Sequence, residues 1–273
     1  MPAFTTRAGV TLSYRDVGAG APLFFSHGWP LASDAWEAQI LHFGQNGFRV
    51  IAHDRRGHGN SDHTWEGNSI DRYADDLAEL ITALDLSGLI MVGHSTGGGE
   101  VARYIGRHGT ARVAKVVMVG AVPPCMLRTA TNPEGTPLEA FDAIRKGTAL
   151  DRSQFFRDLA TPFYGFNRAG VQLNEGLRES FWLMGMRGDI KGHYDCIHEF
   201  SEVDYTADLA RIDRPTLFIH GDDDQIVPIA ASARKAARLV PNARLEVYRG
   251  GSHGLAQMQA EQFNADLMTF IRR

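Results

Sequence analysis

The pentapeptide Gly93–Gly97 (GHSTG) places a serine, Ser95, between two glycines. An apolar run, Leu89–Gly93, comes directly before the serine, and a helical pattern, Gly99–His108, follows shortly after it. A serine on a sharp turn from strand to helix holds its hydroxyl clear of the backbone, where it can attack a carbonyl carbon. Because glycines permit the tight backbone of such a turn, this segment predicts a nucleophilic serine.

A serine hydroxyl is a weak nucleophile, so it needs a general base and a carboxylate that orients the base. Two later segments supply these groups after apolar runs. Three aspartates lie in His220–Pro228 (HGDDDQIVP), and His253 lies in Gly250–Gly254 (GGSHG). The chain order of serine, acid and histidine is the order found where the nucleophile stands on a strand-to-helix turn. We therefore interpret His253 as the base.

The three adjacent aspartates leave the choice of acid ambiguous. Asp224 is favoured because it is the third residue after Gly221 and lies four residues before Pro228. The alternative role for Asp222 and Asp223 is turn formation, with hydrogen bonds to nearby backbone N–H groups. A calcium loop is disfavoured, since the alternating ligand spacing and the closing glutamate are missing.

Attack on a carbonyl creates an oxyanion that needs two N–H donors. One should come from Thr96, the residue after the nucleophile. The second should come from the loop after the apolar run Leu23–His27, where Trp29 is the candidate because Pro30 has no N–H. Pro30 also biases Trp29 towards an extended backbone. Core packing is the alternative role for Trp29, and the two roles are compatible.

Histidines other than His253 are predicted to have packing or hydrogen-bonding roles. His94 is adjacent to Ser95, and adjacent side chains diverge, so we assign it a packing or supporting role. His27, His53 and His220 end predicted strands and should hydrogen-bond to loops. A metal set around Asp195 and Cys196 is disfavoured, because His193 and His198 are five residues apart and lie on different faces of a helix. No metal is expected.

These groups need a framework, and the chain supplies it as apolar runs that alternate with helical patterns. Strand followed by helix, repeated, predicts βαβ units and a mostly parallel sheet. The continuous apolar character of the runs agrees, because parallel sheets are covered on both faces. The predicted strands are Phe4–Arg7, Thr11–Asp16, Leu23–His27, Arg49–His53, Leu89–Gly93, Ala114–Val119, Thr216–His220 and Leu245–Tyr248. The predicted helices around this sheet are Asp71–Leu86, Gly99–His108, Ser232–Leu239 and Glu261–Arg272.

The alternation stops between residues 123 and 211, a stretch with no convincing strand. Helical patterns occur there around 138–146, 152–160, 175–186 and 193–201. An insertion after the carboxyl end of a strand should lie over the ligand crevice of an α/β sheet. We therefore expect one domain over 1–273, with a core formed by 1–122 and 212–273 and a helical cap formed by 123–211.

Composition excludes several classes of partner. The 28 basic and 32 acidic residues give a net charge of −4 without blocks of like charge, so a nucleic acid or an anionic membrane surface is not indicated. No apolar run approaches the roughly 20 residues of a membrane span, and the first residues do not form a signal peptide. A cytoplasmic location is expected, with Cys125 and Cys196 as reduced thiols rather than one disulfide.

Several segments together resemble the cofactor-free, non-heme bacterial haloperoxidases, relatives of arylesterases and lactonases with the α/β-hydrolase fold. The resemblance runs nearly end to end, and the long segment around Ser95 is its most specific part. It implies a triad of Ser95, Asp224 and His253, with Trp29 and Thr96 as oxyanion donors. The segments are SHGWP at Ser26–Pro30, DRRGHGNS at Asp54–Ser61, GHSTGGGEVARYIGRHG at Gly93–Gly109, HGDDDQIVP at His220–Pro228 and RGDIKGHYDCIHEFSEVDYTADL in the cap.

The resemblance also implies an activity: ester hydrolysis combined with perhydrolysis. Hydrogen peroxide replaces water in the attack on the acyl-enzyme, and a carboxylic acid such as acetate becomes a peracid. The peracid then oxidises chloride or bromide away from the enzyme. No cofactor is implied, and homo-oligomers are implied because they are frequent among these proteins. In the DRRGHGNS segment, Asp54 and Arg55 are expected to form a structural turn without a catalytic role.

The substrate pocket should be small and apolar. Its candidate residues are Trp29, Met126, Phe163, Trp182 and Ile226, and core packing is the alternative role for each.

Other activities share the same triad. A thioesterase, lactonase, γ-lactamase or carbon–carbon hydrolase is compatible with it, whereas a haloalkane dehalogenase or epoxide hydrolase would carry aspartate in place of Ser95. A non-catalytic small-molecule binder with this fold is an alternative of another class.

Overall fold

A twisted sheet of eight strands forms the centre of the computed structural model, which describes all 273 residues. The strands are β1 (Ala3–Thr5), β2 (Thr11–Gly18), β3 (Ala21–Ser26), β4 (Phe48–His53), β5 (Leu89–His94), β6 (Val113–Val119), β7 (Thr216–Gly221) and β8 (Ala243–Tyr248). Their spatial order is β1-β2-β4-β3-β5-β6-β7-β8; β2 runs antiparallel to both of its neighbours, β1 and β4, and all other neighbouring strands are parallel. The predicted α/β sheet is thus confirmed.

Ten helices surround the sheet. They are α1 (Glu37–Gln45), α2 (Ile70–Ala83), α3 (Thr96–His108), α4 (Leu138–Tyr164), α5 (Glu175–Arg187), α6 (Ile190–Ser201), α7 (Thr206–Leu209), α8 (Ala233–Leu239), α9 (Leu255–Met258) and α10 (Ala260–Arg272). The sequence patterns missed α1, α7 and α9. They also divided α4 in two, and the division has a basis, because Asp151 has non-helical angles (φ −155°, ψ 77°) and kinks this helix.

The apolar runs form strands because successive side chains enter opposite layers of the core. In β3, Phe25 packs on the layer that includes Trp36 and Phe263, whereas its neighbour Phe24 faces the layer that includes Tyr73. Both layers are closed by helices, so the strands can remain apolar on both faces.

The segment between β6 and β7 contains α4 to α7, and its only β-type pairings are isolated bridges. This segment leaves the sheet at the carboxyl end of β6 and therefore starts beside the ends of β5 and β7. None of the helices combines the length and apolarity needed to cross a bilayer. Cys125 and Cys196 are both free thiols.

Candidate active site

Ser95 occupies a strained turn between β5, which ends at His94, and α3, which begins at Thr96. Its φ of 55° and ψ of −120° place a non-glycine residue at positive φ, a conformation that persists only where the surroundings enforce it. Two backbone hydrogen bonds do so here. The Ser95 N–H donates to the carbonyl of Val119 at 2.9 Å, and the Gly98 N–H donates to the carbonyl of Ser95 at 2.9 Å.

The glycines around Ser95 are required because neighbouring atoms occupy the space that a Cβ would need. A Cβ on Gly93 would lie 2.4 Å from the carbonyl oxygen of Gly97, and one on Gly97 would lie 2.4 Å from that of Ser26. A Cβ on Gly98 would lie 2.4 Å from the Cβ of Ala121. The glycine run therefore packs the turn directly against β3 and the segment after β6.

Asp224 and His253 form a buried pair at 2.7 Å between Oδ2 and Nδ1. The other carboxylate oxygen of Asp224 accepts the N–H groups of Ile226 and Val227 at 2.9 and 2.8 Å. Burial opposes ionisation of Asp224, but the charge of His253 and hydrogen bonds from His220 and His253 outweigh it, so the pKa of Asp224 is well below its usual value. Asp224 is therefore an anion that can orient the imidazole.

The other two aspartates of the loop have different partners. Asp222 accepts the N–H of Gly250 at 2.6 Å, in agreement with the turn role expected for it. Asp223 instead forms a two-pronged ion pair with Arg168 at 2.6 Å on the protein surface, so its expected bond to a backbone N–H was wrong. Of the three aspartates, Asp224 contacts His253.

The end of β6 brings the pair and Ser95 together. Val119 accepts the backbone N–H of Ser95, and a Cβ on the next residue, Gly120, would lie 3.2 Å from Nδ1 of His253 and 3.4 Å from Oδ2 of Asp224. Nε2 of His253 is buried and has no hydrogen-bond partner. The Ser95 hydroxyl is not hydrogen-bonded to it. Contacts between nucleophile and base are often loose before substrate binds.

Two amide groups beside Ser95 have no hydrogen-bond partner that would compete with an oxyanion. Thr96 is the first residue of α3, so its N–H has no intrahelical acceptor. The N–H of Trp29 donates to no backbone carbonyl. The loop that carries Trp29 is close to Ser95, because a Cβ on Gly28 would lie 3.0 Å from the Cβ of Ser95. The positive end of α3 adds favourable potential for developing negative charge.

Further histidines support the site. Nε2 of His94 lies 3.0 Å from the carbonyl oxygen of His253, and burial, together with the charge of His253, lowers the pKa of His94 to about 3. His94 is therefore neutral at pH 7 and donates this hydrogen bond. His220 contacts the carbonyl of Val227 at 2.9 Å and the carboxylate of Asp224 at 3.3 Å, so its role extends beyond the loop contact expected from the sequence.

A polar network lies beneath the site, on the core side of α3. The buried Glu100 contacts Nε2 of His53 at 3.1 Å and the guanidinium of Arg55 at 2.8 Å. The expectation that His53 would bond to a loop was therefore wrong, because its partner is Glu100, a residue of helix α3. Asp54 accepts the N–H of Ser33 at 2.7 Å and that of Asn60 at 2.8 Å, which agrees with a structural turn.

A cavity of about 170 Å³ opens beside Ser95, and most of its lining is apolar. Met126, Phe163 and Ile226 line it together with Trp29. Trp182 does not, which corrects one pocket candidate. The face of α5 that carries Trp182 points to α4, where its Nε1 donates to Ser153 at 3.2 Å and its ring stacks with Arg157 at 4.2 Å.

Several lining residues had no distinguishing signal in the sequence. They lie at ordinary apolar positions of α4 and α6, and only the tertiary packing of those helices turns them towards Ser95. They are Phe141, Ile144, Leu159 and Phe200.

Metal-ligating side chains do not converge: no group of three or more His, Cys, Asp or Glu side chains has a geometry that could hold a metal ion. His193 is fully buried, whereas the side chain of His198 is 58% exposed. The two histidines therefore lie on different faces of α6, as their spacing predicted.

A comparison with family models matches residues 21–256 to a family described as alpha/beta hydrolase fold. The chain belongs to the α/β-hydrolase fold family. Within this family it belongs to the non-heme haloperoxidases, since a non-heme haloperoxidase of Rhodococcus erythropolis is 54% identical over 272 residues, 99% of each chain. A bifunctional esterase/perhydrolase of Acinetobacter calcoaceticus is 49% identical over 98% of each chain.

Solved structures of α/β-hydrolases agree with this assignment. A bromoperoxidase from Bacillus anthracis superimposes with a TM-score of 0.95 at 37% identity, over 99% of each chain. An esterase from Exiguobacterium antarcticum superimposes with a TM-score of 0.94 at 26% identity, also over 99% of each chain. The resemblance inferred from the sequence segments is therefore confirmed at the level of both family and fold.

Proposed function

We propose that this α/β-hydrolase is a serine esterase that also acts as a perhydrolase, transferring acyl groups from Ser95 to water or to hydrogen peroxide. The observation that carries the proposal is the buried Asp224–His253 pair at 2.7 Å, which lies against Gly120 at the end of β6, next to the residue that accepts the Ser95 N–H, and leaves Nε2 of His253 without a hydrogen-bond partner. The esterase/perhydrolase of A. calcoaceticus, 49% identical, supports both acyl acceptors.

The first half of the proposed reaction forms the acyl-enzyme. Nε2 of His253 takes the Ser95 proton as Oγ attacks the ester carbonyl, and Asp224 stabilises the imidazolium. The N–H groups of Trp29 and Thr96 bind the oxyanion. When the carbonyl re-forms, the alcohol leaves with the proton from His253, and the acyl group remains on Ser95.

The second half releases the acyl group. Water or hydrogen peroxide gives a proton to His253 and attacks the same carbonyl, and Ser95 leaves with that proton. Water yields a carboxylic acid, and hydrogen peroxide yields a peracid. Starting from a carboxylic acid and hydrogen peroxide, the same steps give a peracid and water. The peracid oxidises halide in solution, so halogenation needs no redox centre in the protein.

The size of the cavity limits the acyl group. Its volume of about 170 Å³ lies below the roughly 300 Å³ at which pockets for drug-sized ligands begin. No charged side chain lines it, so uncharged acyl groups of a few carbons are favoured. We propose Met126, Phe163 and Ile226 as acyl-binding residues.

We further propose that residues 123–211 act as a helical cap on a single domain, with a core formed by 1–122 and 212–273. Lining residues from α4 and α6, such as Leu159 and Phe200, support this division. A cytoplasmic location and homo-oligomer formation stay predictions of the sequence.

Labelling with an organophosphonate tests the nucleophile. We expect one equivalent of label on Ser95 and hydrolysis of p-nitrophenyl acetate by the wild type, with both lost in Ser95→Ala. Ser252→Ala is the matched control, because Ser252 is also a buried serine beside His253; its activity should stay within about threefold of wild type. Wild-type-like turnover by Ser95→Ala would remove Ser95 from the mechanism.

Bromination of a dye by oxidised bromide tests whether hydrogen peroxide is the second acyl acceptor. With hydrogen peroxide and bromide present, we expect halogenation to require acetate and to disappear in Ser95→Ala. Undiminished halogenation without any carboxylic acid would contradict the peracid route.

A further inference from the structure

The side chain and the backbone of Trp29 belong to different parts of the molecule. Its backbone lies in the loop after β3, beside Ser95, but its indole is buried among residues of cap helices. The ring centroid of Trp29 lies 5.6 Å from that of Phe156 and 5.3 Å from that of Phe200. Its Nε1 donates to the carbonyl of His193 at 3.0 Å. Trp29 therefore joins the proposed oxyanion loop to α4 and α6.

The acceptor carbonyl is in turn held in a fixed position relative to the core. His193 lies in the first turn of α6, and this turn touches the loop after β4. The Asp189 N–H donates to the carbonyl of Gly57 at 2.9 Å, and a Cβ on Gly192 would lie 2.8 Å from the Cα of Gly57. The Asp189 side chain also accepts the N–H of Gly192 at 3.0 Å, which caps the helix.

The loop that receives α6 is itself tied to the oxyanion segment. Arg55 donates from its backbone N–H to Nε2 of His27 at 3.1 Å and from its guanidinium to the carbonyl of His27 at 2.8 Å. Gly57 and the loop of Trp29 are therefore connected twice, once through Arg55 and once through α6 and the indole. A closed set of contacts of this kind leaves the Trp29 backbone little freedom.

Losing the hydrogen bond from the indole to His193 would destabilise the folded protein, because a buried donor without a partner has lost its hydration and gains nothing in return. Oxyanion donors contribute to the rate only when they are aimed at the position of the developing charge. From these contacts we infer that the Trp29 indole and the His193 carbonyl form a positioning link, through which the cap sets the direction of the Trp29 N–H. The inference rests on the proposed function of that N–H.

The variant Trp29→Phe tests the link, because it keeps an aromatic ring and removes the Nε1 donor. We expect kcat for p-nitrophenyl acetate to fall between about 5-fold and 100-fold, less than the ~10²–10³ typical of deleting an oxyanion donor, with KM changed less than threefold. The affinity for an arylboronic acid, which places a hydroxyl in the oxyanion site, should fall in parallel with kcat/KM.

Trp182→Phe is the matched control, since it also removes an indole hydrogen bond within the cap, at 3.2 Å to Ser153, away from the cavity. Its kcat should stay within about twofold of wild type. If Trp29→Phe and Trp182→Phe lower kcat equally, or if boronic acid affinity is unchanged in Trp29→Phe, the link is wrong.

A double-mutant cycle with Gly192→Ala tests whether the cap acts through the indole. The added methyl pushes α6 away from Gly57, so we expect kcat to fall in the wild-type background and to fall much less in the Trp29→Phe background, because coupled residues are non-additive. Fully additive losses in a folded double variant would overturn the inference. Phosphonate labelling of Ser95 separates failure of this link from failure of the proposed function. If the wild type is labelled and active, and the kcat of Trp29→Phe equals that of the wild type, only the link is refuted.

Discussion

Nε2 of His94 donates to the carbonyl oxygen of His253 at 3.0 Å. His94 immediately precedes Ser95, so this bond joins the turn that carries the proposed nucleophile to the loop that carries the proposed base. The two rings lie 4.7 Å apart, and Nδ1 of His94 lies 2.8 Å from the position that a Cβ on Gly28 would take. One side chain thus contacts the segments that carry the proposed nucleophile, base and oxyanion donor.

Replacing His94 by phenylalanine should lower kcat but leave the apparent pKa values of the pH–rate profile nearly unchanged. The loss of one neutral hydrogen bond, about 0.5–1.5 kcal/mol, corresponds to a decrease in kcat of about 2- to 13-fold. His94→Gln keeps an N–H donor and should restore most of the rate. Steady-state kinetics with p-nitrophenyl acetate measure both. Equal rates for the two variants would show that the hydrogen bond has no role.

The adjacent aspartates offer a paired test of the acid. Asp224→Asn should lower kcat by about 10⁴-fold, because an amide holds the imidazole in the wrong tautomer. Asp223→Asn removes only the surface ion pair with Arg168, so we expect unchanged kcat and at most about 1 kcal/mol of lost stability. Kinetics and urea unfolding distinguish the two variants. Comparable activities in both would remove Asp224 from the triad.

Acid should destabilise the protein before its carboxylates titrate. Burial lowers the pKa of His58 and of His94 to about 3 from 6.5. Between pH 6.5 and 3 the unfolded chain binds more protons than the folded one. The free energy of unfolding is therefore highest above pH 6.5, and it decreases as the pH is lowered, by about 1.4 kcal/mol per pH unit for each histidine.

Urea unfolding at pH 6 and pH 5 measures this slope. Both pH values lie above the range in which Glu100 contributes, because, although burial opposes the shift, Arg55 and His53 lower the pKa of Glu100 from 4.5 to about 2. Nδ1 of His58 donates to the carbonyl of Arg56 at 3.0 Å, and His58→Asn keeps a donor without a titrating group. We expect the slope to decrease by about one proton in this variant. An unchanged slope would show that His58 does not take part.

Two glycine-to-alanine changes should have opposite signs. Gly97→Ala forces a methyl to within 2.4 Å of the Ser26 carbonyl, so activity and folding should both suffer. A Cβ on Gly44, in α1, would have its nearest contact with Val17 at 3.8 Å, so Gly44→Ala should stabilise the protein by about 0.5–1 kcal/mol through helix propensity. Thermal unfolding measures both. A Gly97→Ala variant with wild-type stability would contradict the close packing of the turn.

The sheet was predictable, and the residues of the proposed triad could be selected, because their signals are local. The central strands, β3 to β7, are short and mostly apolar runs, and Ser95 and His253 stand in glycine-containing motifs whose context is one strand and one loop. The choice of Asp224 among three aspartates rested on position alone, and only the fold shows that Asp223 turns to Arg168 at the surface.

The cavity was less predictable because it depends on how distant helices face each other. Phe163 of α4 and Trp182 of α5 are both large aromatic residues, but the packing of α5 on α4 turns Trp182 away from Ser95. The helix α1 was missed because its apolar positions are few: Ile40 and Phe43 are buried, whereas Leu41 is exposed. A weak local pattern becomes a helix there because Trp36 and Phe43 fill the layer under the sheet.

The turn residue His94 precedes its acceptor His253 by 159 residues. During translation, the ribosome therefore releases the proposed nucleophile long before it releases the proposed base. A nascent chain that has not reached residue 253 holds Ser95 without this base. We therefore expect acyl transfer to begin only after the loop that carries His253 has been synthesised.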